Sequence, residues 1–458
     1  MNHDTIAAIA TAMTSSGIGI IRISGEEAFS IISKIFRPKN KEKNIMEQPT
    51  YTIHYGFVYD EEEMLDEVLV LLMKGPHSYT AEDTVEIDCH GGVFVMRRIL
   101  ETVLKNGARP AEPGEFTKRA FLNGRMDLSQ AEAVIDVIQA KNEMALKSSV
   151  SQLKGSVCLK IRNLREEILY EIAFIESALD DPEHISLEGY PEKLSKTVHK
   201  ILKELENLLQ TCDNGRILKE GIKTVILGKP NAGKSSLLNV LLQEERAIVT
   251  DIAGTTRDIL EEQLQLKGIT LNILDTAGIR YTEDLVEQIG VTRAREQAKD
   301  ADLILYVADS SCPLDESDEE ILDILREKRA IVLLNKSDLK PVVTVDDMKE
   351  KTTHPVIVIS VKEKEGIQKL EEKIQELFFQ GKVTFNDEIV ITNVRHKNAL
   401  MQADKSLSMV LSSIEDGMPE DFYSIDLMDA YISLGSIIGE EVGEDLVNEI
   451  FSKFCTGK

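Results

Sequence analysis

The sequence predicts a multidomain protein of mixed class, α+β and α/β. It has an N-terminal α+β domain, a central helical domain, and a P-loop domain inserted into the helical one. Three observations carry that prediction. Strand-like segments and a helix-like segment share residues 1 to about 120. A helical apolar period occupies the stretch after Leu153 and returns after about residue 386. Between the two, short β-branched runs alternate with helices, and the first opens into Gly228-Lys229-Pro230-Asn231-Ala232-Gly233-Lys234-Ser235, spaced G-x-x-x-x-G-K-S. The expected boundaries are 1–118 for the first domain, 119–216 and 382–458 for the two helical parts, and 217–381 for the insertion.

In the first domain, Gly17–Gly25 reads as a strand bounded by turns, Glu67–Met73 as a second that Gly75-Pro76 ends, and Thr84–His90 as a half-buried strand alternating apolar and polar residues. Gly91-Gly92 leads into a helix from about 93 to 105. Arg22, Glu86 and His90 are the polar candidates here; the ordinary role of such strand residues is structural. Pro110, Pro113 and Gly114 mark a connection, and Phe116 to Asp127 leads into the helical stretch. Leu153, Val157, Ile161, Leu164, Ile168, Ile172, Ile175 and Leu179 lie three or four apart, on one face of a helix that Asp180-Asp181-Pro182 stops. A second helix after Pro191 carries Leu194, Val198, Ile201, Leu205 and Leu208 on one face, and Gly215–Gly221 reads as a linker. Thr224–Leu227, Leu271–Leu274, Leu303–Ala308, Ala330–Leu334 and Val356–Ile359 then predict a mostly parallel, doubly wound sheet. Gly381 closes its last helix. Helical periodicity resumes through Val394, Met401, Leu407 and Leu411, and again from about 422 to 454.

The 458 residues carry 53 basic and 79 acidic side chains, a net charge of −26. A broad nucleic-acid face is disfavoured, since phosphate contacts need clustered Lys and Arg; a local basic patch or a basic partner protein remains compatible. The N-terminus has no basic segment followed by an apolar core, and no apolar run approaches the roughly 18 to 20 residues of a membrane span. Cysteines 89, 158, 212, 312 and 455 are scattered without C-x-x-C pairs, which fits a reducing, cytoplasmic compartment and argues against a zinc ribbon.

The glycine-rich stretch has the context phosphate binding requires, a buried strand before it and a helix after it. Glycines let backbone N–H groups turn toward phosphate oxygens, and the helix adds its positive end. Lys234 brings a full charge to the outer phosphates, a catalytic role, and the Ser235 hydroxyl is placed to ligate magnesium; Asn231, Ala232, Gly233 and Ser236 complete the cradle. Four further motifs follow in the order of Ras-like guanine-nucleotide switches. Gly254-Thr255-Thr256-Arg257-Asp258 lies in a polar loop, where a Thr hydroxyl completes a magnesium shell only when a γ-phosphate is present. Asp275-Thr276-Ala277-Gly278 ends a strand; its Asp reaches magnesium through water and its Gly N–H reaches the γ-phosphate. In Asn335-Lys336-Ser337-Asp338, the Asp338 carboxylate accepts two N–H bonds from guanine, a donor pair adenine lacks, so the motif selects GTP over ATP. Ser360-Val361-Lys362 backs up the base.

Ile279 follows Asp-Thr-Ala-Gly where many such proteins carry a Gln that orients the attacking water. An aliphatic side chain cannot do that. Glu283, Asp284 and Glu287 are nearby acids, and Arg257 and Arg280 are cations in the switch loops; Arg280 is the catalytic candidate. A monovalent cation could supply the missing positive charge, with Asn231 as an oxygen ligand.

Over essentially its full length the chain resembles the tRNA-uridine-modifying GTPases of the MnmE, or TrmE, family. The specific stretches are Gly19–Gly25, Pro113–Leu128, and the C-terminus Ile450–Lys458, where Thr456 stands in place of the family's aliphatic residue between Cys455 and Gly457. The resemblance implies that the N-terminal domain is tetrahydrofolate-binding-like and homodimerises. It places Arg22, Glu86, Arg125 and Lys458 on a tetrahydrofolate derivative (5-formyl or 5,10-methylene). Asn231, Thr250, Ile252 and Thr255 fall on potassium positions, Ser235 and Thr256 on magnesium positions, with Asp251 and Ala253 in the same nucleotide loop, and Glu287 on the acid that positions water. The implied partners are the flavoprotein MnmG, or GidA, and tRNA. The implied product is a carboxymethylaminomethyl or aminomethyl group at C5 of the wobble uridine. Cys455 is a possible catalytic thiol, set against the structural role common to a lone thiol near a terminus. Two alternatives stay open: a ribosome-assembly, RNA-binding GTPase, which a basic appendage would favour, and a folate-sensing scaffold, against which the complete nucleotide motifs argue.

Overall fold

The computed structural model describes residues 4–244, 262–266, 268–274, 298–379, 389–440, 442–455 and 457. They form two units, Met1–Ile138 with Val150–Ile201 and Gln402–Lys458, and Gln139–Ser149 with Leu202–Met401.

The first unit is built on strands β1 (Ile6–Ile9), β2 (Ile18–Ser24), β3 (Phe36–Pro38), β4 (Thr52–Asp60), β5 (Glu63–Met73), β6 (Thr84–His90) and β7 (Arg109–Pro110), in the order β3-β4-β5-β6-β2-β1-β7. All neighbours are antiparallel except β1 with β7. Period-two alternation gives the sheet two unlike faces. Ile21, Ile23, Val68, Val70, Leu72, Val85 and Ile87 form one core with residues of the helices Ala28–Ile35 and Val93–Lys105. The other face leaves Ile18, Ile53, Tyr55 and Leu69 exposed and pairs Arg22 with Glu86 in register. In the helical part, Ser156–Asp180 packs on Glu420–Ile438. The predicted stripe is buried from Val157 to Ile175, but its ends differ. Leu153 closes the preceding helix, Glu143–Leu153, and a left-handed Gly155 separates the two. Leu179 is exposed, and Ala178 is buried in its place.

The second unit holds β8 (Ile222–Leu227), β9 (Glu262–Leu266), β10 (Ile269–Ile273), β11 (Leu303–Asp309), β12 (Ala330–Asn335) and β13 (Val356–Val358), in the order β13-β12-β11-β8-β10-β9. Every pairing is parallel except β9 with β10. The sequence reading missed β9, whose Leu264 and Leu266 are buried between polar residues at the sheet edge. The predicted linker at Gly215–Gly221 is a further correction. The helix Tyr190–Glu220 runs through Gly215, where a Cβ would collide with the Ile391 carbonyl, and only Gly221, at φ +87°, lies beyond its end. Gly215 thus serves close packing, which composition alone cannot distinguish from a break. Among the described residues no helix is long and apolar enough to cross a membrane, and none of the five cysteines is in a disulfide.

Candidate functional site

β8 is flanked on both sides by parallel strands, so the loop after Leu227 emerges at the carboxyl end of a central strand, where doubly wound sheets bind ligands. The helix Lys234–Glu244 follows. Gly233 has φ +105°, and a Cβ there would strike Asn335 Nδ2. Asn335, buried at the end of β12, rivets the loop: its Nδ2 donates to Ala232 O at 2.8 Å and its Oδ1 accepts Val361 N–H at 3.1 Å. One side chain therefore ties the phosphate loop to the Ser360-Val361-Lys362 segment. Asn231 is left-handed at φ 61°, a conformation Asn tolerates, and its side chain is exposed, as are those of Ser235 and Ser236.

Lys234 Nζ donates to Gly228 O at 2.7 Å and Lys229 O at 2.8 Å. Burial pushes its pKa below the usual lysine range. An ammonium folded over neutral carbonyls at the mouth of an N–H cradle suits a phosphate chain, whose charge would offset that desolvation.

On the base side, Asp338 Oδ1 accepts the Ser360 hydroxyl at 2.9 Å, and Lys362 Nζ lies 3.8 Å from its other oxygen. Ser337 N–H donates to Ile359 O at 3.2 Å, and Lys336 takes φ 65°. Lys336 Nζ sits 2.6 Å from Asp309 Oδ2. Burial raises the Asp309 pKa, but Lys336 and Ser311 outweigh it and hold the carboxyl below its usual range. Sequence reasoning missed Asp309; the available signal was an acid closing β11 level with Asn335.

In the first unit, Arg22 Nε donates to Glu86 Oε1 at 2.7 Å and its Nη1 to Gly457 O at 3.2 Å. Its guanidinium stands 5.4 Å from the Tyr79 ring centre and 5.6 Å from that of Phe116; Arg125 lies 4.9 Å from the Tyr79 ring. Tyr79 bonds Thr117 Oγ1 at 2.8 Å, and burial pushes its hydroxyl pKa up, so it stays protonated. Two cavities, of about 360 and 410 Å³, share Tyr79 and Arg125 in their walls. The first adds apolar Met126, Val134 and Leu153; the second adds Tyr51, His77 and Ser78. The first, with apolar walls and a few polar groups, has the make-up a small-molecule site needs, and the second is the more polar of the two. Tyr79 and Phe116 escaped the sequence reading because aromatics carry no ligand signature until tertiary structure sets cations against them. Asp88, two residues beyond Glu86, has a buried Oδ1 with no partner among the described residues. Burial, then the charge of Glu86, raises its pKa.

A family model described as the MnmE helical domain matches residues 128–455, and one described as the GTP-binding protein TrmE N-terminus matches residues 5–125. Three relatives are each named tRNA modification GTPase MnmE. That of Lachnoclostridium phytofermentans is 59% identical over 458 residues, covering 100% of both chains. That of Thermoanaerobacter pseudethanolicus is 50% identical over 461 residues, again covering 100% of both. That of Clostridioides difficile is 50% identical over 460 residues, covering 99% of each. The chain belongs to the MnmE family of tRNA modification GTPases. It is an enzyme that hydrolyses GTP, with magnesium as the metal such a site uses.

The residues of this MnmE-family chain fit a magnesium nucleotide. Gly233 takes φ +105°, which lets the loop turn back over the start of the following helix, and Ser235 lies exposed in the first turn of that helix. When bound, magnesium supplies charge neutralisation at the phosphates. Thr250, Asp251, Ile252, Ala253, Gly254, Thr255, Thr256, Asp275, Thr276, Ala277, Gly278, Arg280, Glu287 and Lys458 lie outside the described residues. Cys455 is exposed, and its carbonyl accepts Gly114 N–H at 3.2 Å.

Proposed function

We propose that this enzyme runs a potassium-dependent GTPase cycle and, with a flavoprotein of the MnmG type, adds a carboxymethylaminomethyl or aminomethyl group at C5 of the wobble uridine of certain tRNAs, in the cytoplasm. A tetrahydrofolate derivative is the one-carbon donor. The observation that carries this reading is the Arg22–Glu86 pair set against Tyr79, Phe116 and Arg125 in a chain of this family. A carboxylate accepts N–H donors of a flat polar ring, aromatic walls take its faces, and guanidinium groups take a carboxylate tail. Arg22, Glu86, Arg125 and Lys458 are assigned to the folate.

In the nucleotide site, Ser235 and Thr256 are assigned to magnesium, and Asn231, Thr250, Ile252 and Thr255 to potassium, which supplies positive charge near the phosphates. Glu287 orients the attacking water where Ile279 cannot, and Lys234 and Arg280 serve catalysis. Asp338, with Asn335, Lys336 and Ser337, reads guanine. The open sheet face with Ile18, Ile53, Tyr55 and Leu69 supports a homodimer, since a second copy would cover it. Cys455 is left as a candidate thiol.

Nucleoside analysis of bulk tRNA after gene deletion tests the whole reading: modified wobble uridines should disappear, and unchanged ones would sink it. Potassium is tested separately. Hydrolysis should run markedly faster in potassium than in sodium, and Asn231→Ala should abolish the difference.

A further inference from the structure

We propose that Lys229 is a positioning residue of the GTPase site: through Asp315 and Asp318 it anchors the phosphate loop to the helix that follows β11. Lys229 comes directly after the first glycine of the loop. Its Nζ lies 2.9 Å from Asp315 Oδ2 and 2.7 Å from Asp318 Oδ2. Asp318 is not a surface acid, since its side chain is 1% exposed. Its Oδ1 accepts the hydroxyl of Tyr306, a fully buried residue of β11, at 2.6 Å. Its Oδ2 accepts Asp315 N–H at 2.9 Å, within the capping box that opens the helix Glu316–Leu325. The lysine end of the bridge thus meets groups fixed by a core strand and a capped helix.

The two lysines of the loop divide the work. Lys234 has only neutral carbonyl partners among the described residues, one of which is the Lys229 carbonyl. Lys229 faces two carboxylates, so its charge is already matched and is not offered to phosphate. Burial lowers the Lys229 pKa, but Asp318 and Asp315 outweigh it and keep the ammonium charged. Removing that ammonium would strand a buried carboxylate and free the loop backbone at the residue whose carbonyl also holds Lys234. A misplaced cradle weakens binding of the phosphates in the ground state and the transition state alike. The expected loss is therefore in affinity and not in turnover at saturation.

The test uses the full-length chain, with fluorescent GDP binding, steady-state GTP hydrolysis and thermal melting. Lys229→Met should weaken GDP binding and raise KM for GTP about tenfold, the scale of one partly compensated ion pair, with kcat held within about twofold. Lys229→Arg should recover most of the affinity. Asp315→Ser with Asp318→Asn, in which serine keeps the helix cap, should reproduce the rise in KM. Lys229→Met should then add less than about twofold on that background, because the bridge is already gone. Unchanged affinity in Lys229→Met overturns the proposal. So does a fall in kcat at constant KM, or full additivity with the aspartate changes, either of which would put the ammonium on the phosphates themselves. If Lys229→Met does not fold, the aspartate pair decides alone: no rise in KM there is equally fatal.

Discussion

The two sites of this molecule are built by opposite means. The phosphate loop is one contiguous segment, Gly228–Ser235, and its recognition groups are mostly backbone N–H. What the fold must supply is a central strand, a helix start and the Asn335 rivet. The N-terminal pocket has no such segment. The register of β2 with β6 sets Arg22 against Glu86, while Tyr79, Phe116, Arg125 and Gly457 come to Arg22 and to one another from separate segments of the chain. A backbone site tolerates no added atom where the chain turns back on itself. A side-chain site fails by degrees as its members are removed.

That contrast is broken most sharply at Gly233. Gly233→Ala adds a Cβ at φ +105° against Asn335 Nδ2. A strain of roughly 3 kcal/mol or more, spent on the phosphate cradle, should lower GTP affinity and hydrolysis by at least about 100-fold. Binding of a reduced folate by the same protein should be unchanged, and a parallel loss there would show that the two sites are not separately built. Asp338→Ala comes next. If Asp338 is the guanine acceptor assigned above, losing its two bonds should raise KM for GTP by about 100-fold and remove the preference over ATP. Competition between the two nucleotides measures it.

The same contrast explains what was legible in the sequence. Five nucleotide motifs stand in order because each occupies a few consecutive residues, so local sequence and spacing alone carry them. The strands holding them were visible as β-branched runs, and β9 was not, because two buried leucines among Glu262, Gln263 and Gln265 make too short a signal. Arg22 and Glu86 were visible as polar residues on strands, but nothing local paired them. Their pairing is a register, Arg22 opposite Glu86, and register is a tertiary fact. Tyr79, Phe116 and Asp309 were silent for the same reason. Gly215 misled because close packing and a chain break use the same residue.

Arg22→Met sharpens the comparison from the other side. It removes the bonds to Glu86 and Gly457 and the cation over two rings, while Arg125 still faces Tyr79. Folate affinity should fall about tenfold, one charge-assisted bond's worth, with KM for GTP unaltered. Equilibrium titration of a tetrahydrofolate derivative reads it; a complete loss would mean that the pocket, too, is all-or-none.

Lys234 gives a smaller, pH-dependent effect. Burial lowers its pKa in the free protein, so at alkaline pH part of the population is neutral and binds phosphate poorly. A bound triphosphate favours the ammonium, so binding takes up protons there. GTP affinity should fall as pH rises toward the usual lysine range. Calorimetry in buffers of different ionisation enthalpy should register uptake of a fraction of a proton.

The smallest effect is expected around the N-terminal pocket, in the ion network of its scaffold. Arg109 joins Asp4 at 2.6 Å and Glu115 at 2.6 Å, and Arg119 reaches Asp4 at 2.8 Å and Glu115 at 3.1 Å. The hydrogen bond from Arg109 is the largest influence on Asp4 and holds its pKa down. Burial raises Glu115, but Arg109, the Glu112 N–H and Arg119 outweigh it, so it too lies below the usual range. Both carboxylates are more acidic folded than unfolded. Their contribution is full above the unfolded values and is lost as pH falls through the folded ones, a window from about pH 5 downward. Asp4 and Arg109 are more than a third exposed, so water screens much of this. Melting temperature should therefore drop only modestly on acidification, and Arg109→Met should flatten that slope without touching GTP hydrolysis at neutral pH. An unchanged slope in Arg109→Met would place the acid sensitivity elsewhere, and would leave the pocket's scaffold held by its apolar contacts alone.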